Sequence, residues 1–276
     1  MTLLTALRAH PTGRIGLGLT ALVLAFAVIG PLVADNPNAI AVPDKFLTPS
    51  LAHPLGTDNL GRDLFARAAV GTRFAVVIAL AVVALSVSIG TLLGVLAGLV
   101  GGWTDRLITV AFDIISAYPP VILALGIVAL YGSGNGMLLL VVAILFIPQF
   151  GRMARAQTLS LRDQPFVDAE RILGLPTSRI VLRHLIPNVA GPMIVLASMN
   201  IPVVITVEAG LSFLGLGVKP PQASLGTLIK DGYIYLDQSW WPTIGASVIL
   251  ALATLGATLL GEALRDVTDP KLRGRG

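Results

Sequence analysis

The chain has 276 residues, of which 55% are hydrophobic and 12% are charged, and its formal net charge is +4. A soluble domain carries about 25% charged residues, so this composition, with a mean hydropathy of +0.84, indicates an integral membrane protein. The sequence contains no cysteine and only three histidines, which are far apart. A disulfide framework and a thiolate metal site are therefore excluded, and no metal or other cofactor is expected in this chain.

Runs without charged residues divide the chain into predicted transmembrane helices. The first covers 15–34, which is long enough to cross a hydrocarbon core of about 30 Å and longer than the apolar part of a secretion signal, about 7–15 residues. Further spans are predicted near 74–98, 107–130, 137–156, 185–207 and 238–261. The turn sequence YGSGNG at 131–136 separates the third span from the fourth. The predicted fold class is an all-α membrane protein with six transmembrane helices.

The basic residues predict which side of the membrane each loop occupies. If both termini are cytoplasmic, the cytoplasmic segments hold 13 Lys and Arg, whereas the outer segments 35–73 and 209–237 hold 6. Since basic residues concentrate in cytoplasmic loops, we expect both termini in the cytoplasm. The predicted division is a cytoplasmic N-terminus at 1–14, a first helix at 15–34, an extracytoplasmic segment at 35–73, a five-helix core at 74–262 and a cytoplasmic tail at 263–276. Topology thus explains the positive charge, and binding to nucleic acid is not expected.

One polar, basic segment interrupts the apolar chain between the fourth and fifth predicted spans. Residues 166–188 read FVDAERILGLPTSRIVLRHLIPN, and six arginines lie between Arg152 and Arg183. An apolar stripe at helical spacing runs through its first half, at Phe166, Ala169, Ile172 and Leu173. A helix outside the bundle with such a stripe should dock, either on the membrane surface or in a groove of a soluble partner. The acids Asp168 and Glu170 argue against anionic lipid.

This segment resembles the EAA loop of ABC importer permeases, in which E-A-A is followed by three residues, a glycine, nine residues and I-x-L-P. Asp168-Ala169-Glu170 stands at the E-A-A positions, Gly174 at the glycine, and His184-Leu185-Ile186-Pro187 at the end of the motif. The resemblance places the EAA loop at 157–188 and implies that it couples the chain to an ATPase subunit. The coupling residues implied are Phe166, Asp168, Ala169, Glu170, Leu173, Gly174, Leu175 and Pro187.

Three further segments resemble parts of the dipeptide, oligopeptide and nickel permeases, in the same order along the chain. They are 53–73 (HPLGTDNLGRDLFARAAVGTR), 208–232 (EAGLSFLGLGVKPPQASLGTLIKDG) and 264–273 (LRDVTDPKLR). The chain therefore resembles the C-type permease subunit of these importers, in the cytoplasmic (inner) membrane of a prokaryote. The resemblance implies the type I ABC importer permease fold with a cytoplasmic coupling helix. It also implies a hetero-oligomer with a B-type permease, two ATP-binding cassette ATPase subunits and an extracytoplasmic substrate-binding protein, surrounded by membrane lipid.

The function implied is ATP-driven import of peptides of the dipeptide and oligopeptide class. The chain lacks the P-loop pattern GxxxxGK[ST], so it is not expected to be an enzyme, and ATP and Mg belong to the partner subunits. Nickel chelates, glutathione and haem are alternative substrates within the same family. An ion-coupled secondary carrier would need acidic groups at mid-membrane and inverted repeats. A membrane-embedded enzyme would need a catalytic constellation, and the sequence offers neither pattern.

Two acidic residues could belong to a gate or to a partner contact. Asp113 lies within the third predicted span and could form a structural ion pair, with Arg106 nearby, or act as a proton-coupling acid. Glu208 could be an interface charge or a cap near Gly210, or it could contact the binding protein or a gate.

Two prolines and three glycines also have two interpretations. Pro119 and Pro202 should kink their helices, which would shape the packing or provide hinges for a gate. Gly90, Gly94 and Gly98 form a small-residue face, which could pack within this chain or against a partner subunit.

Overall fold

The computed structural model describes residues 3–162, 164–165, 176, 179 and 181–268. These residues form helices, turns and loops, with one isolated β-bridge between Thr57 and Asp63. The α-helices are α1 Leu3–Ala9, α2 Pro11–Val33, α3 Leu64–Val100, α4 Gly102–Ser116, α5 Pro120–Tyr131, α6 Asn135–Arg162, α7 Ile186–Phe213, α8 Leu225–Ile234 and α9 Trp241–Thr268. The described residues also form a 3₁₀ turn at Val42–Asp44 and a π-helical turn at Val181–Leu185.

Five helices in the described part of the chain are long and apolar enough to cross a membrane, namely α2, α3, α6, α7 and α9. The pair α4–α5 would form a sixth crossing if it is one broken span, since the two helices are bent by 93°. The structure therefore confirms the all-α fold class with up to six spans.

The third predicted span is two helices, not one helix over 107–130. α4 ends at Ser116 and α5 begins at Pro120, with Pro119 at its N-cap position. Each proline lacks an N–H to donate and keeps the preceding residue out of the helical conformation. Two prolines in succession, after Tyr118, therefore break the helix where only a kink was expected.

α3 begins ten residues before the predicted span and runs for 37 residues, about 55 Å at 1.5 Å per residue. Its N-cap is Asp63, whose carboxylate accepts a hydrogen bond from Ala66 N at 2.8 Å. The charge-free run predicts a start near 74, because Arg67 and Arg73 interrupt the run although they lie inside the helix. α3 ends at Gly101, whose φ of +67° suits glycine.

The glycine face of α3 packs within this chain, against α6. A Cβ added at Gly90 would lie 2.7 Å from Phe150 Cβ, and one at Gly98 would lie 2.8 Å from Thr158 Cβ. A Cβ at Gly94 would collide with the carbonyl oxygen of Gly151. These approaches are too close for any side chain. The three glycines therefore allow α3 to pack tightly against α6, which agrees with the interpretation that this face packs within the chain.

Both ends of the described chain lie at the same end of the bundle. The predicted cytoplasmic segment 1–14 contains α1, and His10 Nε2 lies 3.9 Å from Asp266 Oδ2 near the end of α9. A Cβ at Gly16 would lie 2.6 Å from Leu260 N, and one at Gly256 would lie 3.0 Å from Leu19 Cβ. These contacts make α2 and α9 antiparallel neighbours, as an even number of crossings requires.

Candidate functional site

Ion pairs join α4 to α6 at the end of the bundle where α3 and α6 finish, which we call the loop end. Arg155 Nη2 donates to Asp105 Oδ2 at 2.6 Å, and Arg155 Nε donates to Asp105 Oδ1. Seven residues further along α6, Arg162 Nη1 donates to the carbonyl oxygen of Gly98 at 2.9 Å. The last two turns of α6 are thus tied to both α4 and α3, directly before residues 163–180.

Asp113 forms an ion pair, but with Arg152 of α6 and not with the expected Arg106. Arg152 Nη2 donates to Asp113 Oδ1 at 2.9 Å and to Ser116 Oγ at 3.1 Å. Arg106 instead lies over the ring of Trp103, 5.5 Å from its centroid. Asp113 therefore links α4 to α6 through a partner that local sequence could not reveal, and a role for it in a gate stays a prediction.

Most of the coupling residues predicted for the EAA loop lie outside the described residues. These are Phe166, Asp168, Ala169, Glu170, Leu173, Gly174 and Leu175. Pro187 is described, and it lies exposed in the first turn of α7. Leu185, at the end of the π-helical turn, is fully buried, so this turn anchors the chain to the bundle just before α7.

Glu208 is buried within α7 and is neither an exposed interface charge nor a cap. Its side chain has no exposed surface, and the hydroxyl of Ser212 donates to Oε1 at 2.7 Å. Its Oε2 has no hydrogen-bond partner among the described residues. The next residue, Ala209, closely contacts Gly226 of α8. Glu208 therefore lies where α7 meets α8, away from the exposed surface of the chain.

The two prolines of the predicted gate differ in their surroundings. Pro119 is exposed in the break between α4 and α5, whereas Pro202 is buried inside α7. α7 continues as one helix through Pro202, and Thr206 Oγ1 donates to the Pro202 carbonyl at 3.0 Å. Of the two prolines, only Pro119 marks a break in the helical chain.

A buried charge cluster lies at the other end of the bundle, where α3 begins and α7 ends. Asp58 is 3% exposed and accepts from Arg62 Nε at 2.6 Å, while Arg67 Nε lies 3.5 Å from the same carboxylate. Arg67 Nη1 also donates to the carbonyl oxygen of Pro37 at 3.3 Å. Burial raises the pKa of the Asp231 carboxyl in α8, an effect that Arg67 and Arg62 oppose. The cluster joins the segment before α3 to α3 and α8.

Sequence reasoning did not single out this cluster. The only local sign of it is the spacing of four between Asp58 and Arg62. Arg67 and Asp231 are 164 positions apart, so only the fold brings them together.

The family model described as "Binding-protein-dependent transport system inner membrane component" matches residues 90–274, about two thirds of the chain. The chain belongs to this family. It is therefore a multi-pass permease of the inner membrane and the membrane subunit of a binding-protein-dependent ABC transport system, as the resemblance of the EAA loop implied.

Curated relatives cover most of this permease. A putative peptide transport system permease protein of Brucella abortus biovar 1 is 36% identical over 98% of this chain and 91% of its own. The dipeptide transport system permease protein DppC of Alkalihalophilus pseudofirmus is 34% identical, over 97% of this chain and 88% of its own length. The glutathione transport system permease protein GsiD of Pectobacterium atrosepticum is 39% identical, over 82% of this chain and 75% of its own length.

The fold also matches a solved structure. A chain of the MetNI methionine ABC transporter, in an inward-facing conformation, superimposes with a TM-score of 0.58 at 18% identity. The match covers 72% of this chain and 95% of that chain. At this identity the likeness establishes the fold of an ABC importer permease.

Proposed function

We propose that this permease imports peptides of the dipeptide and oligopeptide class, in a complex driven by ATP. The observation that carries the proposal is the agreement among relatives named for peptide, dipeptide and glutathione transport, all at least 34% identical. Glutathione is itself a small peptide, so these names describe one chemical class. Mg-ATP would be bound and hydrolysed by partner subunits, because the sequence has no P-loop.

The loop end is proposed to face the cytoplasm, with both termini on that side. The distribution of Lys and Arg supports this orientation, since 13 of 19 lie in the segments that would be cytoplasmic. The buried cluster around Asp58 would then lie on the outer side, where it would hold a rigid surface for a substrate-binding protein. The assembly would contain this chain, a B-type permease, two ATPase subunits and that binding protein.

The coupling element is proposed to be the EAA loop at 157–188. Its motif residues would form a short helix that docks in a groove of the ATPase subunit. The structure supports this role by what it places on each side of the loop. Arg155 and Arg162 hold the end of α6 to α4 and α3, and Leu185 holds the start of α7 in the core. A displacement of the loop would therefore reach the bundle directly.

Isolation of the tagged chain with its native partners tests this proposal. The chain is solubilised in detergent, and proteins retained with it are identified by mass spectrometry, for the wild type and for Ala169→Arg with Gly174→Asp. We expect a second permease and P-loop ATPases with the wild type, and selective loss of the ATPases with the double variant. Gly18→Ala is the matched control, because nothing lies within 4 Å of a Cβ at Gly18. Equal ATPase recovery from all three chains would contradict the proposed coupling site.

A further inference from the structure

A cleft of about 310 Å³ lies between α7 and α9, and it is lined by apolar side chains such as Met199 and Val203 together with four polar ones. Its polar lining comes from Thr206 on α7 and from Thr254, Thr258 and Glu262 on α9. The last three are four residues apart, so they lie along one face of α9. From Thr254 to Glu262 the face extends about 12 Å along the helix axis.

Glu262 is the group that makes this face unusual. It is exposed, six residues before the end of α9, which places it about 9 Å from that end. Within the described ranges 3–162 and 181–268 it forms no ion pair. Glu262 is one residue beyond the span predicted at 238–261, but it lies inside α9, which continues to Thr268. A carboxylate near the end of a spanning helix is costly against lipid, so it faces water or the bundle interior.

The other side of the α7–α9 pair has a different character. There a cavity of about 180 Å³ lies against α2 and α3, lined mostly by aliphatic side chains such as Val23, Leu80 and Ile205. The exposed face of α2 is also apolar, for example at Leu22 and Val28. The chain thus presents apolar faces suited to lipid and one face that combines hydroxyls with the exposed carboxylate of Glu262.

We propose that the α7–α9 cleft faces the water-filled path of the solute and that Glu262 binds a cationic group of the solute, the ammonium group of a peptide. The inference rests on the proposed function and adds which surface of this chain the solute touches. The carboxylate attracts a cation and repels an anion, so the path favours solutes that carry a positive group on this side. A partner permease that seals the cleft is the competing occupant.

The absence of native cysteine makes the cleft testable by thiol labelling. Thr254→Cys and Leu22→Cys are introduced separately into the complete importer, which is treated with a sulfonate-bearing methanethiosulfonate. Gly256 contacts Leu19 and Thr20, so Thr254 and Leu22 lie at nearly the same depth. The thiolate is the reactive form of cysteine, and a thiol ionises only in contact with water. A cysteine that faces lipid therefore reacts slowly. Labelling of this chain is followed by its intact mass.

A second pair of variants tests the charge. Thr258→Cys is one helical turn from Glu262, and its reaction rates with a quaternary-ammonium and a sulfonate reagent are compared, with and without Glu262→Gln. In the Glu262→Gln variant, the ratio of the reaction rate with the cationic reagent to the rate with the anionic reagent should fall on the order of tenfold. This is the effect expected in water when a unit charge is removed one helical turn from the thiol. Using a ratio cancels changes in accessibility.

The proposal predicts that Thr254→Cys reacts at least tenfold faster than Leu22→Cys in some step of the ATP cycle. Leu22 is the more exposed of the two side chains in the isolated chain, so exposure alone predicts the reverse order. Equal rates with and without ATP would overturn the proposal and indicate a cleft sealed by a partner. An unchanged rate ratio in Glu262→Gln would overturn the role of Glu262. Neither readout uses a peptide, so a separate uptake assay shows independently whether the proposed substrate class is wrong.

Discussion

Arg155 of α6 and Asp105 of α4 form a bidentate ion pair, with Arg155 two turns before the end of α6. The pair is partly shielded, with side-chain exposures of 32% and 21%. It joins two helices that α5 separates along the chain, through residues that are 50 positions apart. The ion pair therefore links the end of α6 that leads into the EAA loop to α4.

The first prediction concerns this ion pair. Arg155→Gln should destabilise the chain by about 1 kcal/mol, because the pair is bidentate but still partly solvated. Arg152→Gln is the matched control, since Arg152 and Asp113 are more exposed and should contribute close to zero. Thermal unfolding of the detergent-solubilised chain compares the stability of the two variants. An equal loss of stability in both would contradict the claim that the shielded Arg155–Asp105 pair contributes more than the exposed Arg152–Asp113 pair.

The second prediction concerns the glycine face of α3. Gly94→Ala should lower the unfolding temperature strongly, because the new Cβ would lie 2.8 Å from Ala154 Cβ and would collide with the Gly151 carbonyl. Overpacking of this kind costs about 1–3 kcal/mol or more. Gly18→Ala meets nothing within 4 Å and should be neutral or stabilising. Normal folding of Gly94→Ala would show that α3 and α6 pack less tightly than described.

The third prediction concerns the buried cluster at the opposite end of the bundle. Asp58→Asn keeps an oxygen for the backbone N–H groups of Leu60 and Arg62 but leaves Arg62 and Arg67 without their carboxylate. Removing one partner of a buried ion pair costs about 3–5 kcal/mol. Limited proteolysis should then cut the segment before α3 faster. Asp35→Asn, at an exposed position, should leave the digestion rate unchanged, and equal rates for the two variants would exclude a structural cluster.

The fourth prediction separates the two interpretations of Glu208. Glu208→Gln keeps an oxygen that can accept from Ser212 and removes a carboxyl group that is wholly buried. If Glu208 is structural, the variant should transport within about twofold of the wild type and unfold at the same or a higher temperature. Glu208→Ala should lower stability through its cavity. Loss of transport in a stable Glu208→Gln chain would assign Glu208 to the gate.

The sequence predicted those features that depend on residues near one another in the chain. Charge-free runs located the spans, because lipid excludes charge over about 20 residues at a time. The spacing of Gly90, Gly94 and Gly98 predicted a close helix contact, since these positions share a face. Pro119 and Pro120 indicated a distortion of the third span, although not the 93° bend that the structure contains.

Features that depend on tertiary contacts were not predictable in the same way. The partner of Asp113 is Arg152, 39 positions away, because α4 and α6 pack side by side. Glu208 was expected at the end of its helix near Gly210, but α7 continues to Phe213, and Glu208 is buried where α7 meets α8. The early start of α3 was missed because Arg67 is neutralised by Asp58 and sits inside the fold, where a rule based on charge expects a loop.

The central claim is that this permease imports peptides with energy from partner ATPases. The most direct test is peptide uptake by proteoliposomes that contain the purified complex and its binding protein, with and without internal Mg-ATP. Controls are an imposed proton or sodium gradient and the Ala169→Arg with Gly174→Asp variant. We predict uptake that requires ATP, ignores the gradient and is lost in the variant. Uptake driven by an ion gradient without ATP would contradict the account.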